Sequence, residues 1–455
     1  MHGLAQNISF WLLGALFVCG CGTRMPEEVP VPPPLTLPEA GSCPGALPGA
    51  NIQVSSAIGE SNAPVLTWTG NGFTIAWWDL RGRFPEVRTV QMNRDGTVRH
   101  PEQRIPYEGA ARDHSIAFDG RETHLVFVDG EKVVSHKMGK RGTVKTVAQG
   151  GKMPAAGAFG AVVWVSEGNL WFVSDAMIVA KTKTAKEVGP TRVVVARGGI
   201  ETPQMVFNGR FFGIVWSSSV KGGREIRFQR VSPRGRLLGS TVQVSREEGV
   251  SRKPAIALSG GNFAVAWTHS APEKDNPDER FRVYLAVIPE VGDQPLMTRQ
   301  LSFRGSADEV ALAATGQEFG LSWVGSRHPR GSAVYFGRMG LDGEPIDSTI
   351  EVTDGVPLTC GRPSLVWDGS GYGVVWHDDR ARTGSEVFFS YIECGEETPT
   401  LDFTSQQEVE ESGEAAGDSG PREESKSTAE SKSSLEEGAA EENGAPLPGL
   451  KEVFD

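Results

Sequence analysis

The chain has 455 residues, 45 Lys and Arg against 57 Asp and Glu, a formal net charge of −12 and 38% hydrophobic residues. Gly395–Asp455 holds 17 acidic and 4 basic residues, so the rest carries 41 of the 45 basic and 40 of the 57 acidic ones. A nearly neutral body without a basic stripe argues against nucleic-acid binding, and the low apolar content leaves part of the chain without a core.

Ile8–Val18 (ISFWLLGALFV) is an apolar run close to the start. It is too short to span a bilayer and suits the core of a signal peptide. It leads into Val18-Cys19-Gly20-Cys21, which resembles a bacterial lipobox, in which a small residue precedes a Cys that is cleaved and lipidated. Gly20 makes Cys21 the better match; Cys19 follows the larger Val18. The resemblance implies a signal peptide over 1–20 and a lipid on Cys21. It also implies an outer-membrane anchor, with the protein facing the periplasm or the surface, because Gly22 stands where an Asp would favour inner-membrane retention. Plain secretion is the alternative. Residues 21–50 then form a linker. Met25–Pro48 is rich in Pro, which restricts φ and removes donors, so an extended spacer is expected there.

Repeats begin near Asn51. An apolar strand carrying an aromatic at or next to its end recurs as IAWW, LVFV, AVVW, GIVW, AVAW, GLSW and GVVW. The aromatics Trp77, Phe127, Trp164, Trp216, Trp267, Trp323 and Trp376 lie between 37 residues (Phe127 to Trp164) and 56 residues (Trp267 to Trp323) apart. Gly-, Asn- and Asp-rich turns such as Thr69–Gly72 and Asp368–Gly371 precede most of them and suit tight hairpins. Third strands recur as Glu225–Val231, Ala333–Met339 and Val387–Ile392, and fourth strands as Thr241–Ser245 and Thr349–Thr353. Short strands at this period predict an all-β, seven-bladed β-propeller over 51–394; the irregular third unit, with its polar insertion Thr182–Pro190, leaves six or eight blades open. The last unit, Arg362–Glu393, begins with a strand at Ser364–Trp367 and stops after its third strand. Asn51–Ser55 (NIQVS) resembles Thr241–Ser245 (TVQVS) and is expected to pair with Glu386–Ile392, closing the ring. The tail, 395–455, has no Trp or Tyr and is expected to be disordered.

Few residues suggest chemistry. Cys43 precedes the closing strand and Cys394 ends the strand it should meet, so a disulfide between them is expected in an oxidising compartment. Cys360 is left over. There is no CxxC and no paired His, so no zinc site is expected. Glu273–Glu279 lacks the alternate acidic spacing of a calcium loop. Neither a nucleophile elbow nor a phosphate-binding Gly loop occurs, and no cofactor is expected. Trp77-Asp79-Arg81 and Trp376-Asp378-Arg380 share the pattern W-x-D-x-R, each followed by an acidic residue, Glu86 or Glu386. The pattern suits a charge network pinning its loop, or contact with a ligand carboxylate or hydroxyl through the Arg fork. The loops expected on that face hold Asp79, Arg81, Arg112, Asp113, Arg252, His269, Arg327, His328, His377, Asp378 and Arg380. Asp79, Arg81, His328, His377, Asp378 and Arg380 are the candidate ligand-contacting set.

The units G-x-G-[FY]-x-V-x-W-x-D-x-R, followed by E-[IV]-x-F-x-R, resemble repeats of secreted bacterial β-propeller proteins over about Asn51–Glu393. Asp boxes of the sialidase kind and WD40 dipeptides are missing from the sequence. The resemblance implies a fold and not an activity. The expectation is a cell-envelope binding or scaffold module for a protein or glycan, more a binder than an enzyme. A propeller glycosidase or lyase, or an outer-membrane assembly factor, is the alternative. If Cys21 carries lipid, Cys21→Ser is expected to move the protein from the membrane fraction to the soluble one and to abolish fatty-acid labelling.

Overall fold

The computed structural model describes residues 38–56, 58–106, 108–139, 143–177, 192–271, 281–301, 307–326, 331–354, 359–381 and 384–395. Cys21 and the 1–20 leader, Arg327, His328, Thr182–Pro190, Glu273–Glu279 and the tail beyond Gly395 lie outside these residues. Among the described residues no helix is long and apolar enough to cross a membrane.

The fold is all-β. Antiparallel groups of strands follow one another along the chain. The first comprises Ser61–Trp68, Phe73–Asp79, Glu86–Met92 and Val98–Arg104; the second Ala111–Phe118, Thr123–Asp129, Lys132–Lys137 and Thr143–Gln149. The third comprises Lys152–Ala156, Val162–Ser166, Asn169–Val173 and Val193–Arg197. The fourth (Ile200–Phe207, Phe212–Val220, Gly223–Val231, Leu237–Gln243) meets the fifth (Val250–Ser259, Asn262–Ser270, Arg282–Ile288, Met297–Gln300) through one parallel pair, Arg224 with Val250. The sixth comprises Ala307–Ala314, Glu318–Gly325, Ala333–Gly340 and Ile350–Glu351. The last has Cys360–Trp367, Gly371–Asp378 and Glu386–Glu393, and two short N-terminal strands, Leu47–Pro48 and Ile52–Gln53, pair with Glu386–Glu393.

The second strands are apolar on both faces, as sheets covered on two sides require. Apolar clusters accordingly fill the spaces between consecutive groups. Val375, Val387 and Phe389 of the last group also pack with Leu66, Phe73, Ile75 and Trp77 of the first. Where the signature begins with Gly, an aromatic of the next group fills the space: a Cβ on Gly213 would lie 2.4 Å from the Phe263 ring, and one on Gly373 2.4 Å from the Phe73 ring.

Several strand limits differ from those expected. Ser364–Trp367 extends back to Cys360, because a bulge absorbs Arg362 and Pro363 without ending the strand. Asn51–Ser55 narrows to Ile52–Gln53 and Thr349–Thr353 to Ile350–Glu351. The likeness of NIQVS to TVQVS has a physical counterpart: Ser55 Oγ accepts the Val387 N–H (2.9 Å) as Ser245 Oγ accepts the Ile226 N–H (2.8 Å). Residues 38–48, expected as part of the spacer, lie against the turn face of the last two groups. The Gly41 N–H donates to Thr315 O (3.2 Å) and Trp367 Nε1 donates to Glu39 O (2.9 Å). Cys43 is fully buried and joined to Cys394, with their Cα atoms 4.6 Å apart. Cys360 stays reduced at the start of its strand, where its Sγ donates to Ser332 O (3.4 Å); burial pushes its thiol up to about 12, so it is not a nucleophile near neutrality.

Loss of the cross-link between such distant segments is expected to cost about 2–5 kcal/mol. Cys43→Ser should therefore lower the denaturant midpoint. The intact mass of the unreduced wild type should be lower by one hydrogen molecule than that of the reduced protein.

Candidate functional site

The first strand of every group carries the same irregularity, opposite the signature aromatic. In the first group Asn62 pairs with Trp78 and Val65 with Ala76, so Ala63 and Pro64 together face Trp77. Asp113-His114 face Phe127 and Met153-Pro154 face Trp164. Thr202-Pro203 face Trp216, Lys253-Pro254 face Trp267, Glu309-Val310 face Trp323 and Arg362-Pro363 face Trp376. In each bulge the leading residue is left-handed: φ is 53° at Ala63, 47° at Asp113, 52° at Met153, 46° at Thr202, 51° at Lys253, 54° at Glu309 and 43° at Arg362. These first strands line one cavity of about 490 Å³, with all but Ala63 of the left-handed residues on its wall. That volume lies within the range of ligand sites.

Neighbouring bulges are tied to one another. The Met153 N–H donates to Asp113 Oδ2 (3.1 Å), the Thr202 N–H points at Met153 Sδ (3.4 Å), and the Arg362 N–H donates to Glu309 Oε2. The Ala63 N–H meets His377 Nδ1 (3.3 Å). Lys253 Nζ bridges Glu309 Oε1 (2.7 Å) and Asp308 Oδ2 (3.2 Å), and Arg252 also reaches Asp308 (3.1 Å). Burial alone would raise the Glu309 carboxyl; Lys253 and the Arg362 N–H outweigh it and hold it below the usual carboxylate range. Burial, aided by the charge of Arg362, pushes His114 down to about 3, and burial also lowers His377, so these imidazoles favour their neutral forms.

The W-x-D-x-R residues form staples at the same end of the sheets. Asp79 is buried. It accepts from Trp77 Nε1 (3.1 Å), Ser61 Oγ (3.0 Å) and the Arg81 N–H (3.0 Å), and the Arg81 fork grips both its oxygens at 2.8 Å. Arg81 also bonds Glu102 (2.8 Å), which pairs with Arg88. In the last group Trp376 Nε1 donates to Asp378 (2.8 Å) and Arg380 Nη2 holds Asp378 Oδ2 at 2.7 Å. Arg380 reaches Asn51 Oδ1 (2.9 Å) and Asp354, and its guanidinium lies 4.4 Å from the Phe388 ring centroid. Asn51 thus ties the N-terminal segment into this network.

The structure separates the candidate set. Asp79 and Arg81 serve the first group, and Asp378 and Arg380 the last. His377 reaches between the two through Ala63, while His328 and Arg327 are outside the described residues. Arg112, Asp113 and Arg252, expected in loops, belong to first strands, and His269 is buried in a second strand against Ser251 (3.0 Å). Lys253, Glu309, Arg362 and His114 did not stand out in the sequence as rim residues. For Lys253 and Arg362 the signal was an X-Pro pair recurring one or two repeats apart, at 63–64, 153–154, 202–203, 253–254 and 362–363; the second and sixth groups carry none, because His114 and Val310 stand where the others have Pro. Among the described residues, a set spaced for a metal ion is Asp119, Glu122 and His124; there His124 Nε2 contacts Asp119 (2.9 Å) and Lys137 pairs with Glu122 (2.5 Å), so the turn is held by its own side chains.

No family model matches this chain, and no curated protein matches it. Among solved structures it is similar to hydrazine synthase of Kuenenia stuttgartiensis, at 12% identity and TM-score 0.47 over 74% of this chain and 98% of that one. It is similar to the Dos1 propeller at 9% identity and TM-score 0.42, over 76% and 95% of the two chains. A sialidase of Trypanosoma rangeli matches at 9% identity and TM-score 0.43, over 78% of this chain and 59% of the sialidase. Scores below 0.5 assign nothing, and the fold rests on the strand pairing above.

Removing either staple leaves a buried carboxylate without its fork. Arg81→Ala and Arg380→Ala are each expected to cost about 2 kcal/mol or more, read as a lower melting temperature at neutral pH. Burial would raise the Asp79 carboxyl, but bonds from Arg81 and Trp77 hold it below its usual 3.8. Its contribution is complete above pH 3.8 and is lost as pH falls through the lower folded value. The melting-temperature gap between wild type and Arg81→Ala should therefore narrow on acidification.

Proposed function

We propose that the chain is a lipid-anchored envelope protein whose strand groups form a closed, seven-bladed β-propeller, and that it binds a protein or glycan at the mouth of the central cavity. The carrying observation is the recurring bulge, which brings a side chain of different chemistry from each first strand to one rim. The W-x-D-x-R arginines act as staples, so ligand contact falls to the rim and not to Arg81 or Arg380. Glu309, held ionised, is suited to charge pairing and poorly suited to general acid catalysis. This favours a binding module over a glycosidase or lyase.

The path of the chain supports an orientation. Glu39 and Gly41 lie at the turns near Trp367 and Thr315, and the Gly395 N–H donates to Pro44 O (2.7 Å), so both described ends leave from the face opposite the rim. With a lipid on Cys21, an anchor reached through this end of the described chain would turn the hairpin face to the membrane and the rim away from it.

A photo-crosslinking residue placed at Thr202 on the rim, or at Arg210 on a hairpin turn, tests this in cells. Discrete adducts are expected from the Thr202 position. Adducts from Arg210 with none from Thr202 would overturn the reading.

A further inference from the structure

The rim is electrostatically lopsided. Over the fourth to sixth groups the charges neutralise one another: Glu201 pairs with Arg224 (3.2 Å), Asp308 with Arg252 and Lys253, and Glu309 with Lys253. The arc running from the last group through the first and second to the third differs. Arg112, Lys152 and Arg362 are exposed there, and none makes a side-chain hydrogen bond or ion pair with another described residue. The one carboxylate among the bulges of that arc, Asp113, accepts the Met153 N–H. Between these cations the first group presents the uncharged Asn62 and the small Ala63, and the carboxylate of Glu60 there accepts from Asn62 Nδ2 (3.1 Å). Inside the rim the cavity wall carries Val65, Leu66, Ile256, Leu312 and Leu365 beside the prolines, together with Gln204, Ser364 and the imidazole of His114; among the described residues no Phe, Tyr or Trp lines it.

We infer that this arc binds an acidic peptide segment, its carboxylates on Arg112, Lys152 and Arg362 and an aliphatic side chain in the cavity. Cations whose side chains make no hydrogen bond or ion pair among the described residues, beside carboxylates that are already bonded, select negative charge, although the charge of Arg362 is also felt by Glu309. Two of them are Arg, whose planar fork matches a carboxylate. The aliphatic and proline part of the wall, with no Phe, Tyr or Trp among the described lining residues, suits Leu, Ile or Val better than a sugar ring. This inference rests on the rim being the binding face and adds the class of partner.

The test uses the full chain and three fluorescent probes: a hexapeptide alternating Glu and Leu, its Gln–Leu counterpart, and trigalacturonate. The Glu–Leu peptide is expected to bind, more weakly as salt rises, and the other two to bind at least about tenfold less. The triple variant Arg112→Gln, Lys152→Gln, Arg362→Gln, checked for an unchanged melting temperature, should lose about tenfold or more in affinity. Arg121→Gln, in a hairpin turn on the other face, should lose none. Equal binding by the triple variant and wild type overturns the site. Binding of trigalacturonate in preference to the peptide overturns the partner class in favour of an acidic glycan. If no probe binds while Thr202 still crosslinks in cells, the acidic-peptide inference fails and the binding face stands. If crosslinking there is also absent, both fail.

Discussion

One extra backbone residue opposite one large aromatic recurs from the first strand group to the last, and much of the architecture depends on it. Six of these aromatics are indoles with at most 1% of their surface exposed, and Phe127 takes the seventh place. A twisted sheet with two apolar faces needs a neighbour on each side, and the aromatic supplies the bulk that fills the gap. The bulge across from it bends the first strand, increases its twist and frees one side chain from the pairing pattern. Packing between sheets and display toward the cavity are thus set by the same cross-strand pair.

The polar groups divide by depth. Asp79 and Asp378 are buried and satisfied by indole N–H, backbone N–H and guanidinium donors, which suits loop rigidity: a buried carboxylate is tolerable only when its lone pairs are filled. The rim charges are half-buried or exposed, and their pairing varies from group to group. Repetition therefore resides in the packed layer and variation in the layer that meets solvent, as expected where loops and strand ends carry recognition on a rigid frame.

The packed layer was legible in the sequence because its signal is dense. An apolar run ending in Trp, preceded by a turn rich in Gly or Asn, suits little besides the buried second strand of a hairpin, and the period then identifies the repeats. The rim was not legible. A residue before Pro ordinarily takes an extended conformation, so Met153, Thr202, Lys253 and Arg362 read as strand or loop and not as left-handed bulge positions. His114 and Val310 replace Pro in two groups and break the pattern further. Strand limits were missed for a related reason, since Pro inside a run is normally taken as its end. The W-x-D-x-R residues stood out in sequence because they repeat, yet their repetition reflects a shared way of pinning a loop.

The left-handed positions set stability against chemistry. None of the seven bulge-leading residues is Gly, the residue for which positive φ carries no steric cost. Holding a side chain in that region costs roughly 1 kcal/mol or more at each position. A redesign aimed at thermostability would favour Gly there and would strip the mouth of its side chains. Conversely, any of the seven can be exchanged for another residue that is neither Gly, Pro nor β-branched at little further backbone cost, because the strain is already present. The frame can thus change what its mouth presents, one position at a time, without changing how it folds.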